Sequence, residues 1–350
     1  MTFRLAASVL ALALSIGTPA LSQQPIPVGE AVEIGRTYAI DSRVLGGQRR
    51  ISVRLPAEHA SDPQRRFPVV YVIDGGPEQD FPHIAGIAQS REVNGTFVPF
   101  ILVGIETVNR RHEITPPATD VAAYQAELGA APGGAETFRR FIREDVKPWV
   151  AQRYRTNGRD AVMGESLAGL FVIETLFREP SLFDDYIAVS PSLWWEDMLY
   201  GRSAATFLDA IPPGDRRLYL TLADEGYRHE QGVALLVEAL RRDAPEGLQW
   251  LYVPQGDHET HASIYHGAAL DAFRAFYGEP TRLYRPGPLL SGQPLPPRTA
   301  AHDALMASEC ARETSRRATP ADTRGDHDAL FYECQLYDLG PRATVGNFER

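Results

Sequence analysis

Short apolar runs alternate with amphipathic segments along most of this 350-residue chain. Apolar runs of four to eight residues bounded by turn residues predict strands, and apolar positions that recur every three to four residues predict helices. The predicted strands are Phe67–Ile73, Phe97–Ile105, Ile187–Val189, Leu218–Ala223 and Gln249–Val253, after a hairpin over Tyr38–Leu55. The predicted helices are Glu136–Arg153, Val233–Arg241 and Ile264–Tyr277. Alternating strands and helices predict an α/β fold, with a mostly parallel central sheet covered by helices on both faces.

The two ends of the chain differ from this pattern. Residues 1–22 combine a short positive region, an apolar run over Leu5–Ile16 and small residues at the end, which predicts a cleaved signal peptide. The apolar run is too short to cross a bilayer, which takes about 20 apolar residues. We therefore expect a periplasmic or secreted protein without a stable membrane span. Its main domain is expected over 23–280, and a short C-terminal extension over 281–350 after a linker rich in Pro and Gly.

One strand–helix junction holds a serine between small residues. The run Val162-Met163-Gly164-Glu165-Ser166-Leu167-Ala168-Gly169 reads as an apolar strand, a tight turn and an apolar helix. A nucleophile elbow has this form, and its sharp turn lifts the serine Oγ out of the sheet. The turn leaves little room for a Cβ on either side of the serine, which suits Gly164 and the small Ala168. Ser166 is therefore the predicted nucleophile.

The next two strand ends along the chain supply an acid and a base. Asp224 and Glu225 follow one strand, and His258 and His261 lie in the loop after the other. A serine hydroxyl needs a histidine to take its proton, and a carboxylate to orient and stabilise that histidine. The order serine, acid, histidine is that of the α/β-hydrolases. Adjacent residues of an extended chain point to opposite sides, so only one carboxylate can meet the imidazole. We take Glu225 as the acid and Asp224 as the alternative.

With these residues in view, the chain resembles the α/β-hydrolase esterases that include esterase D-like enzymes and bacterial ferri-siderophore (enterochelin-type) esterases, over roughly residues 32–280. The resemblance rests on Arg50–Pro56, Pro68–Gly76, Val103–Glu106, Arg111–Pro116, Ser190-Pro191-Ser192-Leu193-Trp194-Trp195 and Glu259–Ile264. The S-P-S-x-W-W signature is the most specific of these motifs. The E-x-H-x-S-[VI] motif favours His261 over His258 as the base. Ala168 stands where the family usually has glycine, and this departure bears on the geometry of the elbow.

This resemblance implies an α/β-hydrolase fold and a secreted serine esterase. Ser166, His261 and Glu225 would cleave carboxylic esters through an acyl-enzyme, with siderophore-type lactones among the substrates. Two other functions stay open: an acyltransferase of the mycolyltransferase type, and a non-catalytic binding protein on the hydrolase scaffold. Hydrolase and transferase differ in whether water or an alcohol attacks the acyl-enzyme. We expect a small-molecule ester as partner, no cofactor and no metal.

The oxyanion of the reaction needs N–H donors beside the nucleophile. Leu167 N–H, at the start of the helix, is one predicted donor. The second donor of this fold lies after an early core strand, where the chain has Gly75 and Gly76.

Aromatic and cationic residues are the candidates for substrate binding. Trp194 and Trp195 follow the nucleophile by one βα unit, and at least one of them is expected to line the pocket. Arg110 and Arg111 are candidates for binding an anionic, oxygen-rich group. Aromatic walls with arginine nearby suit short acyl or aryl esters better than long lipids.

Charge and cysteine content narrow the function further. The formal net charge is −10 and no basic run occurs, which argues against a nucleic acid partner.

The only two cysteines are Cys310 and Cys334. In an exported protein such a pair predicts one disulfide.

Overall fold

The computed structural model describes residues 29–95, 97–256 and 259–278, and a two-residue strand at 344–345. It divides into a short N-terminal unit, Met1–Glu33, and a large unit, Ile34–Arg350. Four sequence predictions fall outside the described residues: the signal peptide, His258, and the two cysteines, Cys310 and Cys334.

The strands form one sheet in the order β1-β2-β4-β3-β5-β6-β7-β8-β9. Their bounds are β1 Arg36–Asp41, β2 Gln48–Arg54, β3 Phe67–Ile73, β4 Ile101–Ile105, β5 Thr156–Glu165, β6 Asp185–Val189, β7 Arg216–Leu222, β8 Leu248–Pro254 and β9 Thr344–Val345. The six strands from β4 across to β8 are parallel, while β1, β2 and β9 pair antiparallel at the two edges. The predicted α/β fold with a mostly parallel sheet is confirmed.

Helices fill the connections between strands. Their bounds are α1 Glu58–Ser61, α2 Phe81–Asn94, α3 Arg110–Glu113, α4 Val121–Leu128, α5 Ala135–Phe141, α6 Lys147–Arg153, α7 Leu167–Arg178, α8 Trp195–Arg202, α9 Ala204–Asp209, α10 Tyr227–Asp243 and α11 Ile264–Tyr277. A π-helical turn at Ile142–Val146 joins α5 to α6. None of the helices within the described residues has both the length and the apolar composition needed to cross a bilayer.

The hydrophobic core has two halves, one on each face of the sheet. Side chains of β3 alternate between them: Val69 and Tyr71 belong to one cluster, and Val70 and Val72 to the other. The second cluster includes residues of α2 and α11, and the first includes residues of α5, α7 and α10. Every residue of β3 is buried, because a central parallel strand is covered on both sides.

Some predicted bounds differ from the structure, for local reasons. The hairpin turns at Gly46 and Gly47, both with positive φ, as expected. β4 begins at Ile101 rather than Phe97, and Pro99 just before it has no N–H to give to the sheet. The predicted helix Val233–Arg241 begins earlier, at Tyr227, because its first turn is polar and lacks the apolar periodicity.

The C-terminal extension contributes an edge strand. Thr344 and Val345 pair antiparallel with Tyr252 and Leu251 of β8. At least this part of the extension predicted over 281–350 therefore joins the sheet of the main domain.

Candidate active site

Ser166 lies on a strained turn between β5 and α7. Its backbone has φ 62° and ψ −121°, a conformation that a non-glycine residue rarely adopts. The Ser166 N–H donates to the Val189 carbonyl oxygen at 3.0 Å, which ties the turn to the end of β6. Such a turn holds the hydroxyl at the carboxyl edge of the sheet, as in a nucleophile elbow.

Gly164 and Ala168 pack against each other across this turn. A Cβ built on Gly164 would lie 2.6 Å from the Ala168 Cβ and 2.7 Å from the Ala168 carbonyl oxygen. The methyl group of Ala168 therefore occupies the space that the missing Cβ of Gly164 leaves. The elbow keeps its strained serine although alanine stands where the family usually has glycine.

Glu225 and His261 meet at the same edge of the sheet. Glu225 follows β7, and His261 lies between β8 and α11. The Asp224 N–H donates to the Glu259 carbonyl oxygen at 3.0 Å, and Asp224 also forms an isolated parallel bridge with Thr260. This backbone contact joins the two loops, and Glu225 Oε2 lies 2.9 Å from His261 Nδ1.

The structure distinguishes the two neighbouring carboxylates. The Glu225 side chain is only 2% exposed and faces His261, whereas Asp224 is exposed. The alternation of side chains along the chain sends the two to opposite sides. Glu225 is therefore the residue whose position suits an acid partner of His261.

Glu225 and His261 shift each other's proton affinity. The pKa of His261 is raised, first by its hydrogen-bonding contact with Glu225, while burial acts against this. Burial alone would raise the pKa of Glu225, but its contacts with His261 and Ser190 outweigh burial and the pKa is lowered. The pair is therefore suited to stabilise a protonated imidazole beside a carboxylate.

Glu165, immediately before the serine, is a further titratable group at the site. Burial raises its pKa to about 7, and the charges of Asp80 and Glu225 add to this, while His261 and Arg110 oppose it. No sequence pattern singles out this position, because the turn does not specify the middle residue of G-x-S.

The three N–H groups predicted to bind the oxyanion differ in their hydrogen bonds. As the first residue of α7, Leu167 has an N–H without a partner inside the helix. The Gly75 N–H instead donates to the Ile105 carbonyl oxygen at 2.8 Å, and the Gly76 N–H donates to Gln79 Oε1 at 3.0 Å. Both glycine amides are thus occupied by internal hydrogen bonds.

Close packing explains why glycine is needed after β3. A Cβ on Gly75 would lie 2.2 Å from the Gly104 Cα, and one on Gly76 would lie 2.9 Å from side-chain atoms of Gln79 and Glu106. With these hydrogen bonds in place, the Gly76 N–H could reach a substrate oxygen only if Gln79 turned away, and a donor from Gly75 or Gly76 stays a prediction.

The two arginines lie in different places. Arg110 Nε donates to Asp74 Oδ2 at 2.5 Å, and its Nη2 lies 3.5 Å from the Glu165 carbonyl oxygen. Arg111 Nη1 instead donates to the Leu128 carbonyl oxygen at 2.6 Å. Arg110 thus lies beside the nucleophile turn and Arg111 contacts a different segment, while the binding of an anionic group by either arginine stays a prediction.

The two tryptophans also have different environments. Trp195 is completely buried, and its ring lies 4.3 Å from that of Tyr124, so Trp195 belongs to the core and Trp194 is the candidate for the pocket wall. Trp194 is half-buried, with Arg228 over its face and His229 at its edge. His229 was not predicted from the sequence; its ring lies 6.1 Å from that of His261.

No metal arrangement accompanies these groups. Within the ranges 29–95, 97–256 and 259–278, no cluster of three or more His, Cys, Asp or Glu side chains is arranged to hold a metal ion.

The sheet order and the strained serine turn define an α/β-hydrolase fold. The family model described as "Putative esterase" matches residues 42–274, and the chain belongs to this family. The solved structure of an IroE-like serine hydrolase from Shewanella oneidensis superimposes with a TM-score of 0.63 at 22% identity, covering 87% of this chain and 99% of that one. A siderophore hydrolase, EstB, from Aspergillus nidulans gives 0.59 at 22% identity, covering 72% and 98%.

Curated relatives with similar sequences are named as siderophore esterases. The ferri-bacillibactin esterase BesA of Bacillus subtilis is 31% identical over 178 residues, which cover 46% of this chain and 60% of BesA. The siderophore enterobactin esterase of Emericella nidulans is 37% identical over 106 residues, 28% of this chain and 35% of that enzyme. The chain therefore spans about a third to three fifths of these two relatives.

Proposed function

We propose that this protein is a serine esterase that cleaves carboxylic esters through a Ser166–His261–Glu225 triad. The observation that carries the proposal is the 2.9 Å contact of Glu225 Oε2 with His261 Nδ1, at the sheet edge where Ser166 occupies its strained turn. Membership of the esterase family supports the reaction class. The names of the relatives support ester hydrolysis in particular.

The proposed reaction has two halves. Ser166 Oγ attacks the ester carbonyl carbon and gives its proton to His261, and the alcohol leaves with that proton as the acyl-enzyme forms. Water then attacks the acyl carbon, His261 takes a proton from it, and the acid leaves as Ser166 is restored. Glu225 holds the imidazole through Nδ1 and stabilises its protonated form in both halves.

Charge on the substrate oxygen must be stabilised during both halves. Leu167 N–H at the start of α7 is the proposed donor, helped by the positive end of the helix dipole. Arg110 is proposed to bind an oxygen-rich part of the substrate. A guanidinium carries five N–H donors, and the described bonds to Asp74 and to the Glu165 carbonyl oxygen use two of its nitrogens.

The proposed substrates are short acyl or aryl esters, including siderophore-type lactones. Half-buried Trp194 offers an aromatic surface beside His229, and such surfaces suit flat acyl groups. The siderophore class is taken from the names of BesA and the Emericella enzyme, and its oxygen-rich anions would suit Arg110.

Export is part of the proposal and has its own test. A signal peptide over 1–22 predicts a periplasmic or secreted protein whose Cys310 and Cys334 form a disulfide. In the chain-entropy model a link that closes this loop contributes about 3 kcal/mol. Mass spectrometry of the exported protein should find residue 23 at the N-terminus and no free thiol. A retained leader or two free cysteines would contradict this part.

An ester panel tests the reaction. Acetyl-to-butyryl esters, palmitoyl esters and a catecholate trilactone would be given to the wild type, to Ser166→Ala and to Ser181→Ala. Ser181 is an exposed serine at the other end of the sheet, before β6, and serves as the control. We expect Ser166→Ala to lose activity and fluorophosphonate labelling, and Ser181→Ala to keep both.

The same panel separates the alternatives. Full short-ester activity in Ser166→Ala would contradict the triad, and preference for palmitoyl esters or loss of activity with EDTA would contradict the substrate class. Transfer of the acyl group to added sugar alcohols in preference to water would favour an acyltransferase. Binding without turnover of any ester would favour a binding protein.

A further inference from the structure

Two histidines face the same oxygen of Glu225. His261 Nδ1 lies 2.9 Å from Glu225 Oε2, and His229 Nε2 of α10 lies 3.7 Å from the same oxygen. The Glu225 side chain is 2% exposed, so little water reaches this carboxylate. His229 is 25% exposed and its ring lies 6.1 Å from that of His261. The carboxylate is thus enclosed between two imidazoles.

The local sequence explains this arrangement. Gly226, with φ 80°, turns the chain directly after Glu225 and is the N-cap residue of α10. The backbone N–H of His229 then donates to the Gly226 carbonyl oxygen at 3.2 Å, which places His229 one helical turn beyond Glu225. The Trp194 ring also packs against that of His229, with the ring centroids 6.2 Å apart in an edge-to-face arrangement. His229 is therefore fixed by its helix and by Trp194.

The surroundings favour a neutral His229. Burial lowers its pKa, and the positive charges of His261 and Arg228 lower it further, while Glu225 acts against them. A neutral imidazole has one N–H donor and one acceptor nitrogen. In the tautomer protonated at Nε2, the donor points towards the Glu225 carboxylate, just beyond ordinary hydrogen-bond length.

We propose that His229 is a positioning residue that shares Glu225 with His261 and thereby weakens the hold of Glu225 on the protonated form of His261. A carboxylate oxygen that lies close to two imidazole nitrogens divides its electrostatic attraction between them. A second imidazole also opposes a positive charge on His261 whenever it is itself protonated. His229 thus keeps the base neutral, and so able to accept a proton from Ser166, at a lower pH than Glu225 alone would allow.

Three charged groups near His261 also change its pKa. Glu225 and Glu165 raise the pKa of His261, and Arg110 lowers it. His229 acts in the same direction as Arg110, but through the carboxylate rather than across the nucleophile turn. Because the proposal concerns the base of the triad, it rests on the proposed function for its catalytic consequence. Its effect on proton affinity does not depend on turnover.

Two substitutions separate the effect of the polar N–H group from the effect of the side-chain volume. His229→Gln keeps an N–H donor of similar reach, and His229→Leu keeps the bulk without a donor. Glu238→Gln is the control, because Glu238 is an exposed residue on the same helix. The His261 imidazole would be titrated by NMR in the full-length protein, with its signal assigned by loss in His261→Ala. The pH profile of kcat/KM would be measured on a short ester.

We expect the pKa of His261 to rise in His229→Leu and to stay near the wild-type value in His229→Gln and Glu238→Gln. At pH values below the pKa of His261, kcat/KM of His229→Leu should be about two- to fivefold lower than that of His229→Gln, as a modest rise of that pKa implies. Equal His261 titrations in the Leu and Gln variants would overturn the proposal. So would a loss of kcat/KM that is the same at every pH.

The NMR titration distinguishes this proposal from the proposed function. If the wild type cleaves no ester, the triad hypothesis fails, but the His261 titration can still be compared between the Leu and Gln variants. If the wild type is an esterase and the titrations do not differ, only the role of His229 fails.

Discussion

Glu225 Oε2 lies 2.9 Å from His261 Nδ1, although its immediate neighbour Asp224 also carries a carboxyl group and follows the same strand. The two side chains point in opposite directions: Glu225 is turned inward with 2% of its side chain exposed, and Asp224 faces solvent. A buried carboxylate at this distance from an imidazole nitrogen orients that imidazole. An exposed carboxylate is screened by water and orients little.

Replacing the acid therefore gives the first prediction. Glu225→Gln should lower kcat on a short ester by roughly 10³–10⁴-fold, because loss of the charge destabilises the protonated imidazole and its working tautomer. Asp224→Asn is the matched control and should change kcat by less than about threefold. Steady-state kinetics with a check of folding by circular dichroism would measure both. The reverse ranking of the two variants would mean that Asp224 is the acid.

The second prediction concerns pH and Glu165. His261 must be neutral to accept the serine proton, so activity falls as the pH drops through its raised pKa. The Glu165 charge raises that pKa, so Glu165→Gln should move the acid limb of kcat/KM to lower pH. Burial raises the pKa of Glu165 itself to about 7, so its charge changes within the pH range of the profile. The rise of kcat/KM with pH should therefore be more gradual in the wild type than in Glu165→Gln.

Glu144→Gln is the control for this pH effect, since Glu144 is a partly exposed carboxylate on the π-helical turn. Its acid limb should coincide with that of the wild type. An acid limb in Glu165→Gln that stays in place, or moves to higher pH, would rule out the electrostatic role of Glu165.

Sequence patterns could predict the sheet and the order of the site residues, because both depend on local signals. Apolar runs mark strands, and the positions of Ser166, Glu225 and His261 follow from strand ends. What could not be predicted depends on contacts between distant segments. The side towards which Arg111 turns depends on the Leu128 carbonyl oxygen, and the burial of Trp195 depends on Tyr124.

His229 illustrates the same limit. It lies in a polar helical turn with no motif, and its approach to Glu225 depends on the turn at Gly226 and on packing by Trp194. The glycines after β3 are a different case. Their sequence pattern predicts an oxyanion loop, and in the structure they also pack closely against Gly104 and Gln79.

The third prediction concerns the elbow. Ala168→Gly should fold and keep kcat within about threefold, with a loss of about 1 kcal/mol in the free energy of unfolding, because glycine is less favourable than alanine in a helix. Gly164→Ala should abolish activity, since its Cβ would meet backbone and side-chain atoms of Ala168 within 2.7 Å. Denaturant unfolding and ester kinetics would test both variants. A fully active Gly164→Ala enzyme would mean that the turn is looser than described.

The last prediction separates the two tryptophans. Trp195→Ala should lower the free energy of unfolding by about 3–5 kcal/mol, because it removes a completely buried ring from the core. Trp194→Ala should cost far less stability, since its ring is half-buried, but should raise KM for aryl esters more than for acetyl esters. This contrast follows from where each ring lies: only Trp194 stands beside His229 with surface left for a ligand. Unchanged KM for aryl esters in Trp194→Ala would exclude Trp194 from the substrate pocket, and an unimpaired stability of Trp195→Ala would contradict its place in the core.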